Sequence, residues 1–429
     1  MTNLPILPAT IFMLALTGFQ VSALAQEKPG LHTDEDNGLM ESLLSNTQLP
    51  QHTLSETVEM AYQRFPQRKV FDSMDVETNA LARQSRSLFA GNPALSARYQ
   101  TDQGASQNGL EEWEAGLEVP LWRFGQKAAR QSYAEASSKM VTSGRKALLH
   151  TLAGRVREVI WDVHLARISL AQAKKEWETS QALEQDVKRR VQLGESAKTD
   201  LMLAKDQTLS KHDIVLSAEA ELVHTLKRYQ SLTGLQTLPA NPEEEQSGIT
   251  AIADTHPALA ERLAELNQSQ SNVRVAHREK AENPQLLIGT RQERDVRSSD
   301  PVNSFGVSLR IPFGIDSQSA PKTAAAQVAL SKAQSQLEST RRELQASLHE
   351  AEHELETTQK RLLLVKKQAK LANESLRLAK RAFSLGESSL VNLLRVQSLA
   401  FNAERNKQQL KVSIKRATAR YNQAIGVLP

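Results

Sequence analysis

The sequence predicts a mainly helical protein with a small β part, built as two copies of one structural plan. The tetrapeptide Leu-Gly-Glu-Ser occupies residues 193–196 and recurs, 192 positions later, at residues 385–388. Three further pairs share this offset: Pro120 with Pro312, Tyr229 with Tyr421, and Gly234 with Gly426. A period this long indicates two domain-sized halves and not a solenoid of short repeats.

Composition supports long helices and excludes several classes of site. The 429 residues are 40% hydrophobic but only 4% aromatic, which is typical of coiled coils. The 53 basic and 49 acidic residues are interspersed, so nucleic acid is not an expected partner. The chain contains no cysteine, which excludes disulfides, thiolate metal sites and a lipid-modified cysteine.

The first 25 residues have the features of a signal peptide. Ile11 to Phe19 is apolar, and Ala23-Leu24-Ala25 is a small-x-small cleavage site, although Met1 to Thr10 lacks the usual basic residue. The alternative is a buried N-terminal helix, but residues 26–53 form a polar lead-in with nothing for that helix to pack against. We therefore expect export. No other apolar run approaches the ~18 residues of a membrane-spanning helix, so any spanning part must consist of strands.

The first repeat, residues 54–235, begins with a helix and a strand pair. Ser55 is a candidate cap for a helix from about Glu56 towards Leu88, with a kink at Phe65-Pro66. Leu95 to Thr101 and Trp113 to Val119 alternate apolar and polar residues, which predicts two strands joined by a hairpin loop.

Two long helices complete the first repeat. From about Gly125 to Leu193 the sequence has no proline and keeps a helical apolar spacing, giving roughly 100 Å of helix. A return helix follows from about Thr199 to Thr233, with Gly234 as its C-cap. Residues 236–256 form a linker.

The second repeat, residues 257–429, has the same order. Its elements are a helix from Pro257 to about Ala281, strands at Leu286–Gln292 and Phe305–Ile311, a long helix from about Pro321 to Leu385, and a return helix from about Leu390 to Ile425.

Four short strands in an exported chain restrict the architecture. A sheet that spans a membrane must close completely, and known barrels need at least about 8 strands, so several chains must share one barrel. The sequence therefore predicts a conduit that reaches from the outer membrane into the periplasm. The alternative is a periplasmic coiled-coil scaffold without a channel, in which the strand pairs are end caps.

Over about residues 50 to 429 the chain resembles the outer-membrane efflux channel (TolC-like) family. The matching segments are Leu54-Ser55-Glu56, Phe65-Pro66, Asn92-Pro93, Val119-Pro120-Leu121, the two Leu-Gly-Glu-Ser turns, and Asn283-Pro284 through Ile311-Pro312-Phe313-Gly314. The segments Asn283 to Gly289 and Phe305 to Gly314 are most similar to the cation and heavy-metal efflux (CzcC-like) branch.

The resemblance implies a homotrimer with a shared 12-stranded β-barrel in outer-membrane lipid and a periplasmic α-helical barrel. The adaptor-docking tips are Leu193, Gly194, Glu195, Ser196, Leu385, Gly386, Glu387 and Ser388. They would bind a periplasmic adaptor (membrane fusion) protein, which connects to an inner-membrane pump of the resistance-nodulation-division type. The family performs no chemistry and uses no cofactor, and metal cations are one candidate substrate.

The resemblance also implies a periplasmic constriction just past each tip glycine, where relatives carry acidic side chains. The sixth positions are Asp200 and Asn392, and the ninth in the second repeat is Arg395, which departs from the acidic pattern. Arg395 can face the pore and repel cations, can pair with a carboxylate on a neighbouring helix, or can be an ordinary solvated residue.

Three further groups of residues carry expectations. Strand alternation predicts that Arg98, Glu114, Glu118 and Arg310 face water in the barrel lumen. Tyr99, Trp113 and Phe305 either anchor at a membrane interface or pack under the loops. His349-Glu350-Ala351-Glu352-His353 matches a zinc-protease motif, but it lies midway along an exposed helix without a third ligand, so we expect neither a catalytic metal nor an enzyme.

Overall fold

The computed structural model describes residues 52–105, 109–294 and 300–429 of the chain. Residues 1–25, interpreted as a signal peptide, lie outside the described residues. So does the polar lead-in, except for its last two residues.

The first predicted helix is two helices. α1 spans Leu54–Arg64 and α2 spans Gln67–Arg86, with the break at Phe65-Pro66. The cap of α1 is Thr53 and not Ser55, because Thr53 and Glu56 form a reciprocal capping box with bonds of 3.1 and 2.8 Å. The prediction placed the cap two residues too late because both residues are good N-caps and only the backbone geometry separates them.

Four antiparallel strands form one sheet in the order β1-β2-β3-β4. Their bounds are β1 Ala94–Thr101, β2 Glu111–Pro120, β3 Gln285–Arg294 and β4 Val302–Arg310. β2 of the first repeat pairs with β3 of the second, so the sheet joins the two repeats.

Five further helices make up most of the molecule. They are α3 Gln126–Gln192, α4 Lys198–Thr233, α5 Pro257–Arg278, α6 Asp316–Ser384 and α7 Leu390–Ala424. α6 begins five residues before the predicted start at Pro321, because one proline near a helix N-terminus removes only one hydrogen bond. α5 ends at Arg278, three residues before its predicted end. In the described part of the chain, no helix is both long and apolar enough to cross a membrane.

The helices lie side by side, four abreast at each level. Near the sheet the neighbours run α2-α3-α5-α6, and away from the sheet they run α4-α3-α7-α6. The edge helices are therefore α6 on one side and α2 or α4 on the other. α3 is central at both levels, so its buried side chains form most of the core of the first repeat, together with Leu222, Leu226 and Tyr229 of α4.

Two buried ion-pair networks connect the repeats across α3. Arg157, with its side chain only 3% exposed, donates to Glu244 of the linker at 2.8 and 2.6 Å and to Gln423 of α7 at 2.6 Å. Glu176 accepts from Lys211 of α4 at 2.9 Å and from Arg405 of α7 at 2.6 Å. Removing one partner from such a network leaves a buried charge unpaired, which costs several kcal/mol, ~3–5 in measured cases.

Two histidines on α3 lie near the linker and α7, of which His150 is buried and His164 is partly buried. Burial, with the nearby His256, lowers the pKa of His150 to about 4. Burial, together with the positive charges of Arg167 and Lys415, lowers the pKa of His164 to about 4 as well. Both are therefore neutral in the folded protein at neutral pH.

We predict that acid weakens the fold through these histidines. Their folded pKa lies below the unfolded value, so the unfolded chain binds more protons, and stability falls as pH drops from about 6.5 towards 4. Each histidine contributes roughly 3 kcal/mol to this loss. His164→Phe should unfold at a temperature that depends less on pH than wild type, by circular dichroism between pH 7 and 4. The exposed His349→Gln is the control, and equal pH dependence of all three proteins would contradict the assignment.

Candidate functional site: sheet faces, helix tips and the tip-proximal helices

The strand register brings the four predicted lumen residues to one face of the sheet. Arg98 of β1 lies opposite Glu114 of β2, and Glu114 lies opposite Arg291 of β3. Glu118 lies four residues after Glu114 on β2. On β4, Ser304 is the partner of Arg291, and Arg310 lies six residues after Ser304. Because side chains alternate along strands, Arg98, Glu114, Glu118 and Arg310 share a face.

This polar face is concave. A recess of about 490 Å³ opens on it, bordered by Arg98, Glu114, Glu118 and Arg291. Arg291 also forms an ion pair with Glu112 of β2. Glu112 and Arg291 were not among the predicted lumen residues, although the same alternation applied to β3 predicts Arg291.

The opposite, convex face is apolar and exposed. Its outward side chains are Leu95, Tyr99, Trp113, Leu117, Phe305, Val307 and Leu309. The rings of Tyr99 and Trp113 are 4.5 Å apart at the loop end of the sheet, and both remain exposed. A sheet with a charged concave face and an apolar convex face matches strands that separate water from lipid.

The two Leu-Gly-Glu-Ser turns have the same backbone. Gly194 and Gly386 are left-handed, at φ +80° and +77°. Glu195 N–H donates to Arg190 C=O at 2.8 Å, and Glu387 N–H donates to Ala382 C=O at 2.9 Å, as in a Schellman motif. A β-carbon at either glycine would meet no atom within 4 Å. Leu193 and Leu385 beside them are exposed, so each tip presents an apolar side chain to solvent.

The residues of the predicted constriction lie in the first turns after the tips. Asp200 is half-buried in the first turn of α4, while Asn392 and Arg395 are exposed on α7. Arg395 donates to the side chain of Asn392 at 3.2 Å. In the residues that the structure describes, no carboxylate pairs with Arg395.

The histidines of the zinc-protease motif point to solvent from α6. His349 and His353 are both exposed, and the His353 ring contacts the Thr357 hydroxyl at 3.2 Å. Within residues 52–105, 109–294 and 300–429, no three potential ligands group together as a metal site would require.

Comparisons with known proteins agree with this geometry. Residues 249–427 match the family model described as outer membrane efflux protein. The fold is similar to the CmeC outer membrane channel of Campylobacter jejuni, at 16% identity and TM-score 0.69 over 96% of this chain and 93% of that one. It is also similar to the outer membrane protein VceC of Vibrio cholerae, at 12% identity and TM-score 0.68 over 87% and 96%. CusC matches at 14% identity and TM-score 0.68 over 87% and 92%. No curated protein matches the chain.

The fold, mainly helical with four antiparallel strands, is that of solved outer membrane channel proteins. The family model for outer membrane efflux proteins covers residues 249–427, fewer than half of the chain, and the solved structures extend the likeness of fold over most of it.

We predict that the two faces of the sheet react with different reagents. Cysteine at Arg98, Glu118 or Arg310 should react with polar maleimides, because a charge facing lipid at mid-membrane costs roughly 2–4 kcal/mol for arginine. Leu117→Cys and Val307→Cys should react only with lipid-soluble reagents. The natural absence of cysteine makes every signal site-specific. Polar labelling at Leu117→Cys or Val307→Cys would show that the assignment of faces is reversed.

Proposed function

We propose that the protein is the homotrimeric outer-membrane conduit of a tripartite efflux system. In this proposal an inner-membrane pump of the resistance-nodulation-division type delivers substrate, and a periplasmic adaptor joins the pump to the helix tips. The observation that carries the proposal is a pair of exposed apolar stripes on opposite edges of the subunit.

Each stripe repeats every seven residues along an edge helix. On α4 it consists of Met202, Leu209 and Leu216, and on α6 it consists of Leu364, Leu371 and Leu378. All six are exposed, with Leu209 at 70% and Leu371 at 71%. The stripe on α4 lies about 100° around the helix from the buried face that contains Thr208, Val215 and Leu222, and its exposure shows that its own subunit does not cover it. A seven-residue apolar repeat is the signature of a helix that packs against another helix.

The two stripes are matched in height. Met202 and Leu378 each lie eight residues from a tip glycine, Leu209 and Leu371 fifteen, and Leu216 and Leu364 twenty-two. Asp213 and Lys367 each lie nineteen residues away, which places opposite charges side by side. Asp206 and Glu374 are level at twelve, but Glu374 is already paired with Arg377 at 2.6 Å.

Because the two edges of the subunit differ from each other and fit together, they favour a ring of subunits. A head-to-tail interface that closes generates a cyclic oligomer, and three copies supply the 12 strands of a complete barrel. Closure also satisfies the outer backbone groups of β1 and β4, which in a membrane have no water to bind. A soluble scaffold would leave the apolar convex face without a partner.

The exported substrate follows less directly from the chain. We propose that it includes metal cations, on the similarity of the second strand pair to the cation and heavy-metal branch. Sensitivity of a deletion strain to metal salts, compared with its sensitivity to organic compounds, tests this assignment.

We predict that Leu209→Cys with Leu371→Cys crosslinks neighbouring subunits. In one chain α3 and α7 separate α4 from α6, so a disulfide between these sites must join two copies. Oxidation in membranes should give covalent dimers and trimers on denaturing gels. Leu209→Cys with Leu399→Cys is the matched control, because Leu399 is exposed at a similar height on α7 and does not belong to the α6 stripe. Only monomers after oxidation, with a monomer mass in detergent, would reject the trimer.

We predict that Gly194→Leu and Gly386→Leu weaken adaptor crosslinking in cells and leave membrane insertion intact. A side chain at a left-handed position costs on the order of 1 kcal/mol, too little to unfold helices of this length. Gly248→Leu, at an open linker glycine, is the control. Normal crosslinking and efflux in the double tip variant would refute the docking role.

We predict that Arg395→Asp raises cation preference in planar-bilayer recordings. Three arginines around a narrow pore repel cations, and three aspartates attract them. The exposed Arg342→Asp on α6 controls for total charge. Unchanged conductance and selectivity would place Arg395 away from the constriction.

A further inference from the structure

The apolar pattern of β4 continues past the end of the strand. Phe305, Val307 and Leu309 of the convex face are continued beyond the last strand residue, Arg310, by Ile311, Phe313 and Ile315, all of them exposed. From Phe305 to Phe313 the extended chain covers about 26 Å, or about 20 Å along the membrane normal at a 35–45° tilt. This span is close to the ~25 Å apolar band of outer-membrane barrels, so Phe313 falls at the boundary of the band.

The same end of the sheet carries a second exposed phenylalanine. Phe124, four residues past the end of β2, is 95% exposed, and Phe313, three residues past β4, is 88% exposed. Leu88, between α2 and β1, is also exposed. These exposed side chains lie where the strands meet the helices.

The connection between α5 and β3 joins these two phenylalanines. A β-carbon at Gly125, next to Phe124, would lie 3.3 Å from the guanidinium carbon of Arg278. A β-carbon at Gly314, next to Phe313, would lie 2.6 Å from the carbonyl oxygen of Lys280. The Arg278-to-Lys280 segment therefore lies against both phenylalanine-glycine pairs.

Side chains in this connection alternate in direction. Glu279 points inward, only 11% exposed, and binds Arg130 and Lys322. Arg278 and Lys280 on either side of it are exposed. Lys280 lies 3.7 Å from Asp316, but Arg278 pairs with no carboxylate in the described residues.

Two more exposed arginines, Arg83 and Arg86, lie in the last turn of α2 at this level, and among the described residues neither pairs with a carboxylate. We define the junction belt by its members. They are Leu88, Phe124, Phe313 and Ile315, with Arg83, Arg86 and Arg278.

We propose that the junction belt binds the phosphate headgroups of anionic phospholipids in the periplasmic leaflet. Aromatic side chains favour the headgroup level, and an arginine fork binds phosphate through two parallel hydrogen bonds. The belt continues the apolar face of the membrane-spanning strands, so lipid reaches it without interruption. The inference rests on the proposed function, since it requires the sheet to cross the membrane.

Depth measurements on single-cysteine variants test the apolar part of the belt. Nitroxide labels at Phe124→Cys and Phe313→Cys, in vesicles of phosphatidylglycerol and phosphatidylethanolamine, should show intermediate access to oxygen and to a water-soluble nickel chelate. Val307→Cys, on the convex face, should show access to oxygen alone, and Leu193→Cys, at a tip, should show free access to the chelate.

Each of the other outcomes contradicts either the belt inference alone or the belt inference together with the proposed function. If Val307→Cys reports lipid and the belt sites report open water, the belt inference fails and the proposed function stands. If the belt sites are shielded from both reagents, a second copy of the chain covers them and the inference also fails. If Val307→Cys itself reports water, the proposed function fails together with the inference.

Lipid binding by purified trimers tests the arginines. In native mass spectrometry, Arg83→Gln, Arg86→Gln and Arg278→Gln should each weaken phosphatidylglycerol binding roughly five-fold, the equivalent of ~1 kcal/mol per charge near a lipid surface. Lys139→Gln, Lys332→Gln and Arg342→Gln remove exposed charges from the periplasmic helices and should change binding little. Equal losses in both sets would overturn the phosphate assignment.

Discussion

The unsatisfied outer edges of the four-stranded sheet constrain the rest of this structure. β1 and β4 each present a row of backbone groups that their own subunit does not pair, and a membrane offers these groups no water. In the proposed assembly, strands of further copies are their partners. The helices below must then meet at the same spacing as the strands above, which explains why the subunit is four elements wide along its whole length.

The helices of 67 and 69 residues must each pack against their neighbours in one register along the helix axis. Apolar packing alone specifies that register weakly. Much of the buried surface is alanine, which lets backbones approach closely but leaves little shape to fix one helix against another. Directional polar contacts supply this information. Arg157 fixes the linker and the end of α7 on α3, and Glu176 fixes α4 and α7 at one height on α3. These contacts cross the boundary between the repeats, so the two halves fold into one body.

The proposed transport role requires little else from the chain. The polar concave face offers opposite charges, Arg98 beside Glu114 and Arg291 beside Glu112. Among the residues that the structure describes, this face has an open recess and no closed pocket that would select a substrate. Such a surface suits passage. Selectivity in a conduit of this kind comes from its narrowest ring and from its partners, which is why the tips and the residues just beyond them concentrate the functional questions.

The sequence by itself determined the element order, the strand faces and the tip turns, because these depend on local rules. Period-two alternation sets which strand residues share a face, and a glycine after a long helix takes the left-handed turn whatever surrounds it. Even locally, the sequence did not distinguish between equivalent residues. Thr53 and Ser55 are both good caps, and Pro321 resembles a helix start although α6 begins earlier. The pairing of β2 with β3, the contacts of Arg157 and Glu176, and the meeting of Arg278 with Gly125 join residues 35 to 266 positions apart. Only the tertiary structure decided these, as it decided that the stripes on α4 and α6 lie on opposite edges, because a heptad spacing reveals an apolar face and not which neighbour will cover it.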